Sequence, residues 1–185
     1  NGSGVSMDLF KTRKININNP NKLKFLFIGR LLTHKGVPEL LSVTECLKEF
    51  KDKFELNLVG GLDTNPASLS KDFVTKWNKN PNIYFHGHQK SVIDYLHSND
   101  VFVLPSHREG TPRSGLEAIS SGLPIITNDV PGCREIVDFN IEIKKMPCSC
   151  CEKRLKIGSN GILVPKNSVC CLKTAFIFFF NNPSN

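Results

Sequence analysis

The sequence DVFVLPSHREGTPRSGLEAISSGLPIITND, residues 100–129, decides the fold. It begins with a short apolar run, DVFVLPS at 100–106, and ends with another, PIITND at 124–129. Between them, TPRSGLEAISSG at 111–122 carries a proline where the first turn of a helix would be, a position that proline favours. Thr111 would cap this helix, because a threonine hydroxyl accepts hydrogen bonds from free backbone N–H groups. The stretch therefore predicts a strand–helix–strand unit.

Short apolar runs alternate with helix-like segments through most of the chain. Strands that are apolar throughout, each followed by a helix, are typical of a parallel sheet that helices cover on both faces. We therefore predict an α/β fold with a Rossmann-like, doubly wound parallel sheet of about six strands. The predicted strands are 23–29, 54–61, 82–87, 100–106, 124–129 and 161–165; the predicted helices begin at Gly36 or lie at 68–79, around 92–96 and at 111–122.

The composition indicates a single globular domain. The chain has 185 residues, of which 39% are hydrophobic and 22% are charged, and this is enough for a sizeable core. The apolar run AFIFFF at 175–180 is too short to span a bilayer. The chain has neither a starting Met nor a signal-peptide pattern, so we expect it to be a piece of a longer product.

The net charge of +7 is distributed unevenly. From Phe139 onward seven Lys and Arg stand against two Glu, a net +5, so residues 1–138 carry only about +2. That balance is too small for a nucleic-acid-binding surface, and we expect no nucleic-acid partner. For the basic tail, a solvated face is the favoured interpretation. Contact with phospholipid, at the inner face of the cytoplasmic membrane, is the alternative.

Seven cysteines occur, and five of them lie in the same tail. Cys148 and Cys151 form a C-x2-C pair, and Cys170 with Cys171 could complete four zinc ligands. Adjacent cysteines make a poor chelate, however, and no histidine flanks them, so we favour reduced thiols in a cytoplasmic protein over structural zinc. The odd count also argues against a fully paired disulfide framework.

Polar residues follow the predicted strands at their carboxyl ends, where doubly wound sheets bind their ligands. Gly29, Arg30 and Lys35 follow the first strand, and Glu109 and Glu117 follow the fourth. These two strands are neighbours in the common strand order, so the two groups of side chains should meet. Further loops at the same edge contain Gly60–Gly61 and His86 to Gln89.

The residue types in these loops favour a ligand that contains a diphosphate. Arg30 and Lys35 lie beside one predicted helix N-terminus and face a second one at 111–114, and free N–H groups at helix N-termini favour anions. Carboxylates would repel phosphate but accept hydrogen bonds from sugar hydroxyls, so Glu109 and Glu117 would hold two polyols on either side of it. Taken alone, each cation is better explained as an ordinary surface residue. Their convergence favours a nucleotide-type ligand, and the carboxylates and histidines lack metal-ligand spacing.

FIGRLLTHKG at 27–36, EGTPRSGLE at 109–117 and NGILVP at 160–165 resemble, in this order, motifs of glycosyltransferase family 4. EGTPRSGLE matches the E-x7-E motif of that family. The resemblance covers about residues 22–138 and 160–165, and it implies the donor-binding, C-terminal half of a GT-B fold. It also implies transfer of a sugar with retention of configuration, without a metal or other cofactor. The donor would be UDP- or GDP-linked, and the acceptor a glycan or lipid-linked glycan of a cell-surface polysaccharide.

The resemblance implies a role for each matching residue. Arg30 and Lys35 would hold the donor diphosphate and stabilise the leaving group. Glu109 would lie beside the transferred sugar and complete the catalytic set, and Glu117 would bind the ribose. The other donor-binding positions are Gly29 at a close backbone approach, His88 and Gln89 near the nucleobase, and Gly110, Thr111, Ser114, Gly115 and Leu116 facing the sugar and phosphates.

Some segments depart from the family pattern. Residues 1–22 resemble a hinge between two domains, but the acceptor-binding half is missing, so the chain alone should transfer nothing. Within the domain that we place at 23–185, a basic, Cys-rich insertion at 139–159 replaces a short turn. The apolar CCLKTAFIFFFNN at 170–182 would pack on the sheet or on the missing half, and membrane-surface contact is the alternative.

Two other functions stay open. A module that binds the nucleotide sugar without catalysis is the main alternative, because the acceptor half is missing. An epimerase or a similar enzyme on a Rossmann sheet would need G-x-G-x-x-G after the first strand, and GRLLTHKG at 29–36 does not match that motif.

Overall fold

The structure, a computed structural model, describes residues 4–12, 22–139 and 144–182. Its strands are Leu23–Ile28 (β1), Phe54–Val59 (β2), Ile83–Phe85 (β3), Val101–Leu104 (β4), Ile125–Asn128 (β5), Lys144–Pro147 (β6), Arg154–Ile157 (β7) and Gly161–Val164 (β8). Its α-helices are Val37–Cys46 (α1), Lys71–Trp77 (α2), Ile93–Ser98 (α3), Arg113–Ser120 (α4) and Val169–Asn181 (α5). Short 3-10 helices lie at Thr33–Lys35, Lys48–Lys53 and Arg134–Ile136.

The strands form one sheet in the order β3-β2-β1-β4-β5-β8-β7-β6. All pairings from β3 to β8 are parallel, and β7 and β6 are added antiparallel. The order runs outward in one direction from β1 and in the other from β4. The predicted α/β, doubly wound fold is therefore confirmed, and β1 and β4 are neighbours as expected.

The predicted strand number is wrong, because the described residues form eight strands instead of six. The two additional strands, β6 and β7, form a hairpin inside the insertion at 139–159. Each has four residues, and β6 is KKMP, which has no apolar alternation that would indicate a strand. Lysines on an edge strand stay solvated and discourage further pairing. The hairpin therefore has the composition of a basic loop although it extends the sheet.

Helix α5 packs its phenylalanines on the sheet. The ring of Phe176 is fully buried and stacks on Phe25 of β1, with 4.0 Å between ring centroids. Phe180 lies 5.9 Å from Phe25 and 5.3 Å from Phe50, also between centroids. Of the three surfaces proposed for this segment (the sheet, the other half of the fold and a membrane), the sheet is one that it contacts. Phe178 is only half-buried.

The predicted hinge at 1–22 lies partly outside the described residues, as do residues 140–143 of the insertion. In the described stretch 4–12, Phe10 is buried, and the Thr12 hydroxyl lies 3.4 Å from the Ser120 carbonyl at the end of α4. This stretch therefore packs beside the helix that follows β4. In the described part of the chain, α5 is the longest helix at 13 residues, and no helix has the length and apolarity needed to cross a membrane.

Candidate functional site

A cavity of about 550 Å³ lies at the carboxyl edge of the sheet, between the loops that follow β1 and β4. The strand order reverses here, and doubly wound sheets bind ligands at such a point. Four predicted site residues line the cavity, together with His34 and Arg108, which the strand-end pattern did not single out. His34 precedes Lys35 and Arg108 precedes Glu109 in the sequence, so both could have been predicted from their neighbours. The lining residues are Arg30, His34, Lys35, Arg108, Glu109 and Gly110.

Lys35 and Glu109 form the central ion pair of the cavity. The Nζ atom of Lys35 lies 2.6 Å from Oε1 of Glu109, and the Ser106 hydroxyl donates to the same oxygen at 2.6 Å. The Glu109 side chain is 10% exposed and that of Lys35 is 21% exposed. Partial burial strengthens such a charge-assisted hydrogen bond. The carboxylate is therefore held in one orientation before any ligand binds.

Backbone contacts hold the two loops against each other. The His107 N–H donates to the His34 carbonyl at 2.8 Å, and Nε2 of His107 lies 2.9 Å from Oε1 of Glu39 in α1. Gly36 adopts φ 73°, and a Cβ atom there would lie 2.0 Å from the Pro105 carbonyl oxygen. Only glycine fits this left-handed position against the neighbouring backbone. The relative position of Lys35 and Glu109 is consequently set by the fold.

Strand β5 supports the same loop from below. The side-chain amide of Asn128 donates to the carbonyls of Pro105, at 2.7 Å, and Ser106, at 3.0 Å. The Thr127 hydroxyl donates to the Leu104 carbonyl at 2.7 Å. Asn128 and Thr127 are buried, and these bonds satisfy their side-chain donors inside the protein. The sequence signal for this role is a Thr-Asn pair at the end of an otherwise apolar strand.

Arg30 lies at the rim of the cavity. Its side chain is 60% exposed, and one terminal nitrogen lies 2.8 Å from Oδ2 of Asp63. The Arg30 guanidinium holds the pKa of Asp63 below its ordinary value. At Gly29 the backbone is approached closely by Gly60. A Cβ atom at position 60 would lie only 1.8 Å from the Gly29 carbonyl oxygen. Gly60 therefore allows the loops after β1 and β2 to touch.

Helix α4 begins at Arg113. The prediction that Thr111 caps this helix is therefore wrong. Pro112 occupies the cap position with extended backbone, at φ −73° and ψ 99°. The residue before a proline is disfavoured in the helical region, so the helix starts after the proline and not at Thr111. The N–H groups of Gly115 and Leu116 both donate to the Pro112 carbonyl. The N–H groups of Arg113 and Ser114 come before the first hydrogen bonds of the helix and point out of its N-terminal end.

Glu117 lies in the second turn of α4 and is 9% exposed. Burial raises its pKa, and Arg113, whose Nε lies 3.1 Å from Oε1, offsets part of that effect. Glu117 does not line the cavity around Glu109, and neither do the other predicted positions in α4. Gly115 is a packing residue, since a Cβ atom there would lie 2.6 Å from Cδ1 of Ile136. Five predicted positions in α4 or just before it lie outside the lining: Thr111, Ser114, Gly115, Leu116 and Glu117.

The loop at His88 and Gln89 follows β3, the edge strand two positions from β1. His88 is exposed, and the Gln89 side-chain amide donates to the His86 carbonyl at 2.7 Å. His86 itself lies 2.7 Å from the Asn57 side-chain oxygen, and burial lowers its pKa. His86 is therefore a sheet residue whose side chain has a partner, and the loop at 88–89 lies outside the cavity lining.

Four cysteine side chains are close enough to share a metal ion. The Sγ atoms of Cys148, Cys151, Cys170 and Cys171 all lie within 4.8 Å of one another. The fold thus brings the two adjacent cysteines of α5 and the C-x2-C pair together, while the expectation of reduced thiols without a metal stays a prediction. Within the described ranges, no other group of three or more His, Cys, Asp or Glu side chains has such an arrangement. The cluster lies between β6, β7 and the start of α5, away from the cavity lining.

Comparison with known proteins identifies the family. The chain matches the family model described as Glycosyl transferases group 1 over residues 9–184. It is 38% identical over 122 residues to the N,N'-diacetylbacillosaminyl-diphospho-undecaprenol alpha-1,3-N-acetylgalactosaminyltransferase of Campylobacter jejuni, covering 66% of this chain and 31% of that protein. It is also 38% identical over 123 residues to the O-antigen biosynthesis glycosyltransferase WbnH of Escherichia coli, covering 66% of this chain and 33% of that protein.

The fold has a close counterpart among solved structures. HepE of Anabaena, crystallised in complex with UDP, superposes with a TM-score of 0.74 at 16% identity, covering 98% of this chain and 47% of that one. The chain spans about a third of the length of the two curated relatives and about half of the solved one. Since the family match runs over nearly all of its residues, this chain belongs to the family Glycosyl transferases group 1.

Proposed function

We propose that this chain is the donor-binding part of a retaining glycosyltransferase of family 4. It would take its sugar from a nucleotide-diphosphate sugar and serve cell-surface polysaccharide synthesis. The observation that carries the proposal is the cavity in which Lys35 and Glu109 are held together beside Arg30. Cations and a fixed carboxylate in one cavity match the two parts of such a donor, a diphosphate and a sugar.

The cations of the cavity would bind the diphosphate. Arg30 and Arg108 lie at the rim, Lys35 lies deeper, and the free N–H groups at the start of α4 are nearby in the same loop. Negative charge grows on the diphosphate as the sugar departs, and fixed cations stabilise that charge with no reorganisation. This electrostatic role needs no metal ion, and the name of the solved relative, in complex with UDP, is consistent with a diphosphate at this edge.

Glu109 would face the transferred sugar. Both of its described contacts use Oε1, which accepts from Lys35 and Ser106. A sugar hydroxyl would therefore meet Oε2. Glu117 would bind the ribose from its buried position in α4, and the loop at 88–89 would face the base. The names of the two curated relatives, which contain an undecaprenol diphosphate and the O-antigen, favour a lipid-linked or polysaccharide acceptor at a cytoplasmic membrane surface.

Nucleotide binding tests the proposal directly. Isothermal titration calorimetry should show that UDP or GDP binds, and Lys35→Ala should weaken binding at least about tenfold, or about 1.4 kcal/mol. Lys76→Ala, at an exposed lysine of α2, is the matched control and should bind as the wild type does. Absence of binding by UDP, GDP and ADP at millimolar concentration would overturn the site.

The role of Glu109 needs a separate comparison. Glu109→Gln should weaken binding of a sugar-bearing donor more than binding of the bare nucleoside diphosphate, because the carboxylate faces the sugar. An equal loss for both ligands would remove its sugar role. Thermal denaturation of each variant shows whether a loss of binding reflects loss of folding instead.

A further inference from the structure

Four cysteine thiols meet where the β6–β7 hairpin touches α5. Cys148 and Cys151 lie in the turn of the hairpin, and Cys170 and Cys171 lie in the first turn of the helix. The Sγ atom of Cys151 is 3.5 Å from that of Cys170 and 3.7 Å from that of Cys171. All four Sγ atoms are mutually within 4.8 Å, and none of the four residues is exposed. This clustering brings together residues about 20 positions apart in the chain.

The spacing of the sulfur atoms fits one tetrahedral metal ion. A Zn–S bond of about 2.3 Å places the sulfurs of a four-thiolate site about 3.8 Å apart. The two separations from Cys151, 3.5 and 3.7 Å, are close to that value, and the remaining ones do not exceed 4.8 Å. A polynuclear iron–sulfur cluster would need the thiolates to be farther apart. The chemistry of the donor set, four sulfurs with no open position, is that of a structural zinc site.

The surroundings of the cluster orient the thiols. The Thr174 hydroxyl lies 3.5 Å from Sγ of Cys148, and its oxygen also lies 3.0 Å from the Cys170 carbonyl and 3.3 Å from the Ser149 N–H. The Thr174 side chain thus contacts both the hairpin turn and the first turn of α5. Hydrogen bonds from neighbouring residues to metal ligands hold those ligands in position. The Cys148 N–H donates to the Lys153 carbonyl at 2.9 Å and closes the turn.

The charge of the hairpin complements such a site. Four thiolates around Zn²⁺ carry a net charge of about −2, and the hairpin is rich in Lys and Arg. The basic residues of this segment are Lys144, Lys145, Lys153, Arg154 and Lys156. A negatively charged metal site in this segment would offset part of that positive charge.

We propose that these four thiolates bind one zinc ion, which fastens the β6–β7 hairpin to the start of α5. Each thiol that binds releases its proton to solvent, and no oxidation or reduction takes place. Apart from the pairing of β7 with β8, the hairpin has little apolar anchoring, because Leu155 is the only fully buried side chain among the described residues of β6 and β7. A zinc ion would add a second attachment, to α5. The cysteine cluster is separate from the proposed donor cavity, so the zinc proposal can be tested independently of the proposed function.

Metal analysis of the purified chain tests the site. Elemental mass spectrometry of protein prepared without chelators should give about one zinc per chain, the stoichiometry of a closed four-ligand site. Cys148→Ser and Cys171→Ser should each lower the zinc content to less than half. Cys46→Ser is the matched control, because Cys46 is exposed and lies outside the group of four. Its zinc content should equal that of the wild type. Cys150 is left unchanged, because its Sγ atom lies 3.8 Å from that of Cys148.

A second measurement uses only the wild-type chain, in case a cysteine variant does not fold. Cobalt(II) added to the metal-free chain should produce the intense charge-transfer and visible bands of a tetrahedral thiolate site, and zinc should displace it. Zinc should also raise the melting temperature of the metal-free chain. Two results would overturn the proposal: no zinc in the purified chain with no spectral or thermal response to added metal, or a disulfide within the cluster found by mass spectrometry.

Discussion

Glu117 is buried although it carries a carboxyl group. It is 9% exposed, and its partner Arg113 has a side chain that is 68% exposed. A surface guanidinium compensates a buried carboxylate only in part, so burial dominates and the pKa of Glu117 is raised. A buried carboxyl with a raised pKa opposes stability when it ionises, and such groups concentrate at functional sites. This cost supports the ribose-binding role that we propose for Glu117.

The raised pKa of Glu117 predicts a pH dependence of stability. Between the ordinary pKa of 4.5 and the raised pKa of the folded state, Glu117 holds a proton more often in the folded chain than in the unfolded chain. The free energy of unfolding therefore falls as the pH rises through the interval between the unfolded and folded pKa values. Glu117→Gln removes this contribution. Urea denaturation at several pH values should show the wild type losing stability relative to the variant as the pH rises from the ordinary value.

The control for this experiment is Glu135→Gln, at an exposed glutamate. Its stability difference from the wild type should stay constant over the same pH range. If the Glu117→Gln difference were equally constant, burial of Glu117 would have no effect on its ionisation.

Some site residues could be predicted from the sequence because they directly follow strands. Arg30, Lys35 and Glu109 come after β1 and β4, and the parallel topology brings such positions to one edge. Asn128 and Ser106 could not be predicted in the same way. Asn128 bonds carbonyls 22 and 23 positions earlier in the chain, and the register of β5 beside β4 determines those contacts. The sequence shows which residues reach the edge but not which ones hold it in shape.

At the scale of the element, α5 and the β6–β7 hairpin are where sequence patterns are least informative. Helix α5 has apolar residues on all sides, so periodicity does not indicate which face is buried. The partner of Phe176 is Phe25, about 150 positions away, and the fold must be known before that contact can be named. The hairpin is short and basic, and its pairing depends on the edge that β8 provides. In both elements, contacts with residues distant in the sequence determine the structure more than local secondary-structure preference does.

Helix α5 should contribute a large share of the stability through Phe176. Its ring is fully buried and stacked at 4.0 Å on Phe25, so Phe176→Ala removes both the transfer energy and the packing. Loss of a buried phenylalanine costs about 3–5 kcal/mol. Phe178→Ala, at a half-buried position of the same helix, should cost less than half as much. Urea denaturation measures both values, and equal losses would contradict the packing described for α5.

At the scale of the whole molecule, the donor cavity is open. Its lining comes from the two loops that follow β1 and β4, and it lies at one edge of the sheet. Transfer of a sugar needs an acceptor held in line with the departing group and water kept away from the reaction. The two loops supply the cations and the carboxylate that we propose for the donor, and the described lining includes no residue from a third loop.

The 185-residue chain by itself should therefore bind the donor without consuming it. We expect release of UDP or GDP from UDP- and GDP-sugars, measured by chromatography over several hours, to be no faster with the wild type than with Glu109→Gln. Calorimetry on the same preparation should still show nucleotide binding, which separates an intact site without turnover from a misfolded one. Release that is faster with the wild type and abolished by Lys35→Ala would show that the loops after β1 and β4 suffice for catalysis. Binding without release would mean that catalysis needs groups facing this cavity from beyond the described residues, and the Lys35–Glu109 pair would then be the fixed half of the reaction centre.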